Sequence, residues 1–204
     1  MDAIEKQNKN FYITFALLAK LAIADGSVDK SEANEIYSLI DNVLKLGAKR
    51  KEVAIKIFND EKNSSIGYAA LAHEFKNNNA PQKELMEWMM DILFRLAMAN
   101  GELAPAEEKL INDVAKILDV DSGTLQKIKN NYVTTNSPLE TSYEELGCKP
   151  NASLQEVEAK YNSLLQQYDP ERMKFMGMPE EFLAVANEKV ARFKQAYEKI
   201  RSAS

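Results

Sequence analysis

The C-terminal part of the chain carries two apolar patterns of helical spacing, one on each side of a proline. Before the proline, apolar residues recur every three or four positions: Leu154, Val157, Tyr161, Leu164, Leu165 and Tyr168. A second set of the same spacing follows it: Phe182, Val185, Ala186, Val190, Phe193, Ala196, Tyr197 and Ile200. Such spacing places each set on one face of a helix. We therefore predict two helices joined by a loop around Pro170 and packed as an antiparallel hairpin.

The N-terminal part contains an internal repeat. The segment Lys20–Gly26 (KLAIADG) returns as Arg95–Gly101 (RLAMANG), and the agreement continues into the helix expected after each glycine. Glycine is favoured just past a helix end, and an acid at the third position of the next helix is typical of a cap. We expect two helix-turn-helix units of one plan, packed about a pseudo-twofold axis.

The remaining helices of the N-terminal part are predicted from periodicity and capping signals. Their expected ranges are about 5–24, 29–46, 48–60, 66–76, 81–99 and 124–132, together with a helix that starts at Pro105. The first should bury a stripe with Phe11, Phe15 and Leu18, and the third should turn Val53 and Phe58 inward. Residues 77–79, all asparagine, are expected to form a loop.

Composition narrows the class of protein. The 204 residues are 45% hydrophobic and 28% charged, with few Gly and Pro, which favours an all-α globular fold. The net charge of −5 argues against nucleic-acid binding, which relies on a basic surface. The single cysteine, Cys148, excludes an intramolecular disulfide and fits the cytoplasm. The most apolar segment, residues 11–24, is too short to span a bilayer.

The hairpin region resembles a known module. Its ordered matches are Tyr143-Glu144-Glu145-Leu146-Gly147, Ala152-Ser153, Glu156-Val157, Tyr161 and Ala196-Tyr197. This pattern is similar to the J domain, the Hsp70-binding module of DnaJ-type co-chaperones. The loop at residues 177–181 is similar to the longer loop of the DjlA branch. We predict a first domain over residues 1–133, a linker over 134–140 and a J-like domain over 141–204.

The J-domain family carries His-Pro-Asp between its second and third helices and needs that tripeptide to stimulate Hsp70 ATP hydrolysis. The matching positions here hold Asp169, Pro170 and Glu171. A carboxylate accepts hydrogen bonds, whereas an imidazole can donate them, so any contact that needs the ring N–H is lost. The simpler interpretation is that Asp-Pro merely breaks the chain between helices. By the resemblance, the residues expected at a partner contact are Lys160, Tyr161, Asp169, Pro170, Glu171 and Arg172.

The repeat, with its Ala-Asp-Gly-x-x-x-x-x-Glu pattern from Ala24 to Glu32, resembles the TerB-like domain named for tellurite resistance proteins. A TerB-like domain followed by a J domain is the arrangement of the DjlA branch. Because TerB-like domains have been considered metal binders, the resemblance suggests a divalent-cation site at Asp25, Asp29, Glu32 and Glu107. Helix capping by the same acids is the alternative, and their spacing does not match the calcium loop pattern.

Other candidate residues carry weaker signals. His73 is the only histidine, so no zinc site or nucleophile–base pair can be assembled around it. Met173, Phe175, Met176 and Met178 lie beside the Asp169-Pro170-Glu171 tripeptide. They either pack against the hairpin or offer an adaptable apolar contact to a partner.

We therefore expect a cytoplasmic, non-enzymatic adaptor of the DjlA-like co-chaperone type, with no cofactor. Its partner would be an Hsp70-type chaperone or another protein, its J-like domain would be defective in ATPase stimulation, and it would bind no nucleic acid. The alternative hypothesis is a metal-binding, tellurite-resistance-like stress protein that acts through the acids of the TerB-like domain.

Overall fold

The structure is a computed structural model, and it describes residues 2–26, 34, 36–99, 101–132 and 138–203. Throughout these ranges the regular elements are helical, and no β-strand occurs in them. The predicted all-α fold class is therefore confirmed.

The helices of the N-terminal part surround one core. They are α1 (Ala3–Ala22), α2 (Ala48–Lys62), α3 (Tyr68–Asn79), α4 (Lys83–Ala97), α5 (Pro105–Ile117) and α6 (Ser122–Asn130), with a π-helical turn at Leu39–Val43. The C-terminal part consists of α7 (Pro138–Glu145), α8 (Leu154–Gln167), α9 (Pro170–Met176), a 3₁₀ turn at Glu180–Phe182 and α10 (Leu183–Ala203).

Polar side chains start several of these helices. The carboxylates of Asp2 and Asp121 accept the backbone N–H groups of Glu5 and Thr124 at 2.8 and 2.9 Å. Ser153 and Glu156 form a reciprocal capping box at the start of α8. Each cap satisfies a donor that has no partner inside the helix, so these helix starts are encoded locally.

The repeat is visible in the backbone. Gly26 and Gly101 have φ angles of 102° and 87°, the left-handed region expected just past a helix end. The two equivalent cations have different contacts. Lys20 donates to the carbonyl oxygens of Glu61 and Ser64 at the end of α2, whereas Arg95 forms an ion pair with Glu188 on α10. Lys20 therefore stabilises the N-terminal bundle, whereas Arg95, at the equivalent position of the repeat, contacts the C-terminal part.

Helix α1 lies at the centre of the first core and packs against α2, α3, α4 and α5. The predicted stripe of Phe11, Phe15 and Leu18 is buried, as expected. Val53 was predicted to face inward, but its side chain is 43% exposed, and the neighbouring Ala54 is buried instead. A small residue at this contact lets α1 and α2 approach each other closely.

Residues 77–79 form the last turn of α3 rather than the predicted loop. The side chain of Asn79 is buried, and its amide donates to the carbonyl oxygen of Phe75 at 2.8 Å. Asparagine usually competes with the helix backbone. Here its polar groups are satisfied by tertiary contacts, so the helix continues.

A second, smaller core lies between α8 and α10, and α7 packs on α10. Its buried residues are Leu146, Val157, Leu164, Tyr168, Phe193, Ala196 and Ile200. The rings of Tyr161 and Tyr197 stack with centroids 4.5 Å apart and planes 3° from parallel. The predicted hairpin is thus present, with Pro170 at its tip.

The tip of the hairpin differs from the prediction. Residues 170–176 form the short helix α9 instead of a loop. The segment that begins there also contributes side chains to the first core, not the second: Met173, Met178, Phe182, Val185 and Ala186. The N-terminal and C-terminal parts of the chain therefore share one apolar core.

The predicted linker lies mostly outside the described residues. Its last three positions, 138–140, are in the first turn of α7. The division at residues 134–140 into two domains stays a prediction.

Candidate partner-docking site

Asp169 and Pro170 begin α9. The Oδ1 atom of Asp169 accepts the backbone N–H of Arg172 at 2.8 Å, and Pro170 occupies the first helical position. Proline is favoured there because its missing N–H would have no partner inside the helix. The carboxylate that we predict at the J-domain histidine position is therefore engaged as a helix cap.

Arg172 connects the tip to α8 in the C-terminal part and to α4 in the N-terminal part. One guanidinium nitrogen donates to the carbonyl oxygens of Gln166 and Gln167 at 3.2 and 3.3 Å, at the C-terminal end of α8. The other donates to the carboxylate of Glu84 on α4 at 3.0 Å. Cations at a helix C-terminus also interact favourably with the helix dipole.

Tyr168, the last buried residue before the tip, faces α4. Its hydroxyl donates to the carboxylate of Glu87, and the Lys189 ammonium lies 4.4 Å from the centre of its ring. Burial, followed by the charge of Glu87, raises the pKa of Tyr168 well above its usual value. The phenol therefore stays protonated and acts as a hydrogen-bond donor across the contact between the two halves.

The segment after the tip is held by buried polar and aromatic contacts. The amide of Asn10 donates to the carbonyl oxygen of Gly177 at 2.8 Å. The ring of Phe182 lies 5.0 Å from Trp88 and 5.9 Å from Phe15, both in the first core. Arg50, which stacks on Phe11, forms an ion pair with Glu181. These contacts fix the position of α9 relative to the first bundle.

Charged groups form a second contact between the halves. Arg192 on α10 lies 3.5 Å from the carboxylate of Glu145 and 3.9 Å from that of Asp91 on α4. Arg95 pairs with Glu188 at 2.6 Å. Burial raises the pKa of Glu145, and the nearby Arg192 opposes that shift. Arg192 therefore offsets only part of the cost of burying Glu145.

The predicted partner-contact residues lie in two separate places in the structure. Asp169, Glu171 and Arg172 are exposed at the tip. The ring of Tyr161 stacks on that of Tyr197, within the hairpin. Lys160 lines a cleft of about 170 Å³ between the hairpin and α6 of the first bundle. The tip residues are therefore together, whereas Lys160 lies apart from them.

The predicted metal-site residues are only partly described. Asp29 and Glu32 lie outside the described residues. The carboxylate of Glu107 accepts the backbone N–H of Ala104 at 3.0 Å, which caps α5. Burial raises the pKa of Glu107, the cap lowers it, and the charge of Asp25 raises it again. Within the described ranges no group of three or more His, Cys, Asp or Glu residues could hold a metal ion, and the site stays a prediction.

Sequence reasoning missed the residues that hold the tip in place: Asn10, Arg50, Glu84, Glu87 and Phe182. Asn10 is the last of a run of consecutive polar residues, directly before the apolar run that begins at Phe11, so the sequence does not mark it as buried. Its burial becomes visible only in the structure, where its polar groups have partners. The two glutamates look like ordinary exposed acids in the sequence, and nothing local marks their contacts.

A family match that covers more than half of the chain shows the class of protein. The family model described as tellurite resistance protein TerB matches residues 12–130, and the chain belongs to that family.

Known relatives extend the similarity to the C-terminal part. The chain is 27% identical to the co-chaperone protein DjlA of Shewanella oneidensis, across 98% of this chain and 80% of the relative. The corresponding protein of Photobacterium profundum is 24% identical, across 97% and 78%, and that of Coxiella burnetii is 25% identical, across 94% and 76%. No solved structure matches. Among the described residues, no helix combines the length and apolar character that crossing a membrane requires.

Proposed function

We propose that this chain is a non-enzymatic adaptor of the co-chaperone type, which docks on an Hsp70-type chaperone through the tip between α8 and α10. The support is its similarity, along nearly its whole length, to proteins named co-chaperone DjlA. The helical hairpin with Pro170 at its tip, between the exposed Asp169 and Glu171, also supports the proposal. The action is therefore binding, with any hydrolysis performed by the partner.

We further propose that the chain stimulates the chaperone's ATPase weakly or not at all. The observation that carries this is the engagement of Asp169 as the N-cap of α9, at 2.8 Å from the Arg172 N–H. An ionised carboxylate has no proton to donate, and this one already accepts a hydrogen bond within its own chain. Any contact that needs the ring N–H of the family's histidine has no equivalent donor at position 169.

The outer face of α8 supports the same proposal. Asn162 and Gln166 are exposed there and carry no charge, and Glu158 is exposed on the same helix. Attraction of a partner over distance requires a patch of one sign. Lys160 is the exposed cation of this helix, and the exposed Glu156 and Glu158 outnumber it. Such a face gives little steering towards the acidic surface that basic helices of this family meet.

The experiment is ATP turnover by an Hsp70-type chaperone from the same source, with and without the full chain, using an active J-domain protein as the positive control. We expect binding of the chain with little change in turnover. The double substitution Asp169→His with Glu171→Asp restores the tripeptide and should raise turnover. Strong stimulation by the unmodified chain, lost in Pro170→Ala, would contradict the proposed defect.

We also propose a cytoplasmic location, because an Hsp70-type partner needs ATP. The check is fractionation of the source cells followed by detection of the chain. Recovery in the membrane fraction after a high-salt wash would contradict this part of the proposal.

A further inference from the structure

The side chain of Phe175 on α9 is 85% exposed, the largest exposure among the large apolar residues that the structure describes. On the opposite face of the same short helix, Met173 is buried in the first core. Glu171 lies four residues before Phe175, so the two side chains share the outward face. Helix α9 therefore has one face anchored in the core and one face that presents an aromatic ring to solvent.

The contacts around α9 hold this ring on a well-anchored element. Arg172 pairs with Glu84 at 3.0 Å on one flank, and Lys174 pairs with Glu180 at 3.0 Å on the other. At the end of the helix, Gly177 accepts from Asn10 at 2.8 Å. An aromatic side chain on a preorganised backbone loses little entropy on binding, and aromatic residues dominate the centres of protein interfaces.

The charges beside Phe175 have a definite sign. Both cations of α9 are neutralised by the ion pairs just described. Asp169 and Glu171 are exposed and form no ion pair with any residue in the described ranges. Glu171, one helical turn before Phe175, therefore places a negative charge on the outward face of α9, which favours lysine or arginine on a partner.

We propose that Phe175, with Glu171 one turn before it and Asp169 at the N-cap of the same helix, is the docking contact for a protein whose binding face is an apolar pocket bordered by lysine or arginine. The ring fills the pocket, and the two carboxylates meet the cations at its edge. The inference rests on the proposed function, because it names the part of the tip that touches the partner. The acidic surface described for the family's partner meets the second helix, whereas the contact proposed here is made by the tip.

The first stage of the test is photo-cross-linking in a lysate of the source cells. The full chain carries p-benzoylphenylalanine in place of Phe175, and a matched chain carries it in place of Val53, which is 43% exposed on α2. The protein captured from position 175 is identified and purified. The second stage measures its affinity for the unmodified chain and for Phe175→Ala, Glu171→Gln and Val53→Ala.

The proposal requires that Phe175→Ala weakens binding about tenfold or more, as loss of a central aromatic contact does. It also requires that Val53→Ala has no effect and that Glu171→Gln reduces the salt dependence of binding. No adduct specific to position 175, or a purified partner bound equally by Phe175→Ala, would overturn it. If the captured protein satisfies these affinity criteria but is not an Hsp70-type chaperone, the docking inference holds and the chaperone part of the proposed function fails.

Discussion

The side-chain amides of Asn10 and Asn79 donate to each other's oxygen atoms, at 2.8 and 2.9 Å, and both residues are fully buried. Each amide also donates to a backbone carbonyl, Asn10 to that of Gly177 and Asn79 to that of Phe75. One pair of side chains thus joins α1, α3 and the end of α9. Because the pair is buried, removal of either member leaves polar groups without partners.

Asn79→Ala should lower the free energy of unfolding by about 1–3 kcal/mol, since the oxygen of Asn10 and one of its two amide hydrogens lose their partner in a buried site. Urea denaturation followed by circular dichroism measures the change. The control is Asn162→Ala, an exposed position on α8, which should stay within about 0.5 kcal/mol of the unmodified chain. Equal effects of the two substitutions would contradict the importance of the amide pair.

Phe182→Ala should lower the free energy of unfolding by about 3–5 kcal/mol, the usual loss when removal of a buried phenylalanine ring leaves a cavity. The ring of Phe182 lies edge-on to that of Trp88, the chain's one tryptophan, so the substitution should also change the tryptophan emission. Phe175→Ala removes the same side chain from an exposed position and should change stability by no more than about 0.5 kcal/mol. A Phe182→Ala loss no larger than that of this control would show that the 3₁₀ turn does not contribute to the first core.

Gly177→Ala tests the backbone at the end of α9. Gly177 has a φ of 118°, and a Cβ there would lie 2.7 Å from the Cε of Lys6. The strained backbone of an alanine at this φ should lower the free energy of unfolding by about 1–2 kcal/mol. Displacement of the Lys6 side chain should lower it further. Gly47 has an ordinary φ of −62° and open space around it, so Gly47→Ala should have little effect on the thermal midpoint. A tolerated Gly177→Ala would mean that this turn adapts easily.

Glu145→Gln should stabilise the chain at neutral pH. Burial raises the pKa of Glu145 in the folded state above its unfolded value, so the folded state binds this proton more tightly than the unfolded state does. Stability from this group is therefore greatest at low pH and is lost as the pH rises through the folded pKa. Glutamine resembles the protonated acid, so its advantage should be present at pH 7 and vanish below the unfolded pKa.

Denaturation curves of the two proteins at pH 7 and at pH 4 measure this difference. If glutamine is destabilising at pH 7, the attraction between Arg192 and the ionised carboxylate outweighs the desolvation of Glu145. The pKa of Glu145 would then not be raised.

Periodicity predicted the hairpin well but could not say which core each residue joins. Val157, Leu164, Phe193 and Ala196 were assigned to the face between the two helices, and they are buried there. Phe182 follows the same spacing, yet it packs against Phe11 and Trp88 of the first bundle. A pattern of apolar residues predicts burial, whereas the identity of the neighbour depends on how the whole chain folds.

The capping signals of α9 were present in the sequence but were interpreted as a break. Asp169 before Pro170, with Gly177 shortly after, is typical of a short helix with an N-cap, a first-position proline and a left-handed end. Glu84 and Glu87 gave no comparable signal, because an ion pair or a hydrogen bond between residues far apart in the chain leaves no local pattern. The position of the tip could therefore be predicted, and its attachment to α4 could not.

The insertion of Phe182 and its neighbours into the first bundle affects how fragments of this protein would behave. A fragment made of residues 141–204 would expose five apolar side chains to water: Met173, Met178, Phe182, Val185 and Ala186. Such a surface favours aggregation, and the remaining bundle would be left with a matching hole. Assays with an excised hairpin would then report on a damaged molecule, whereas the intact chain presents the tip in its native setting.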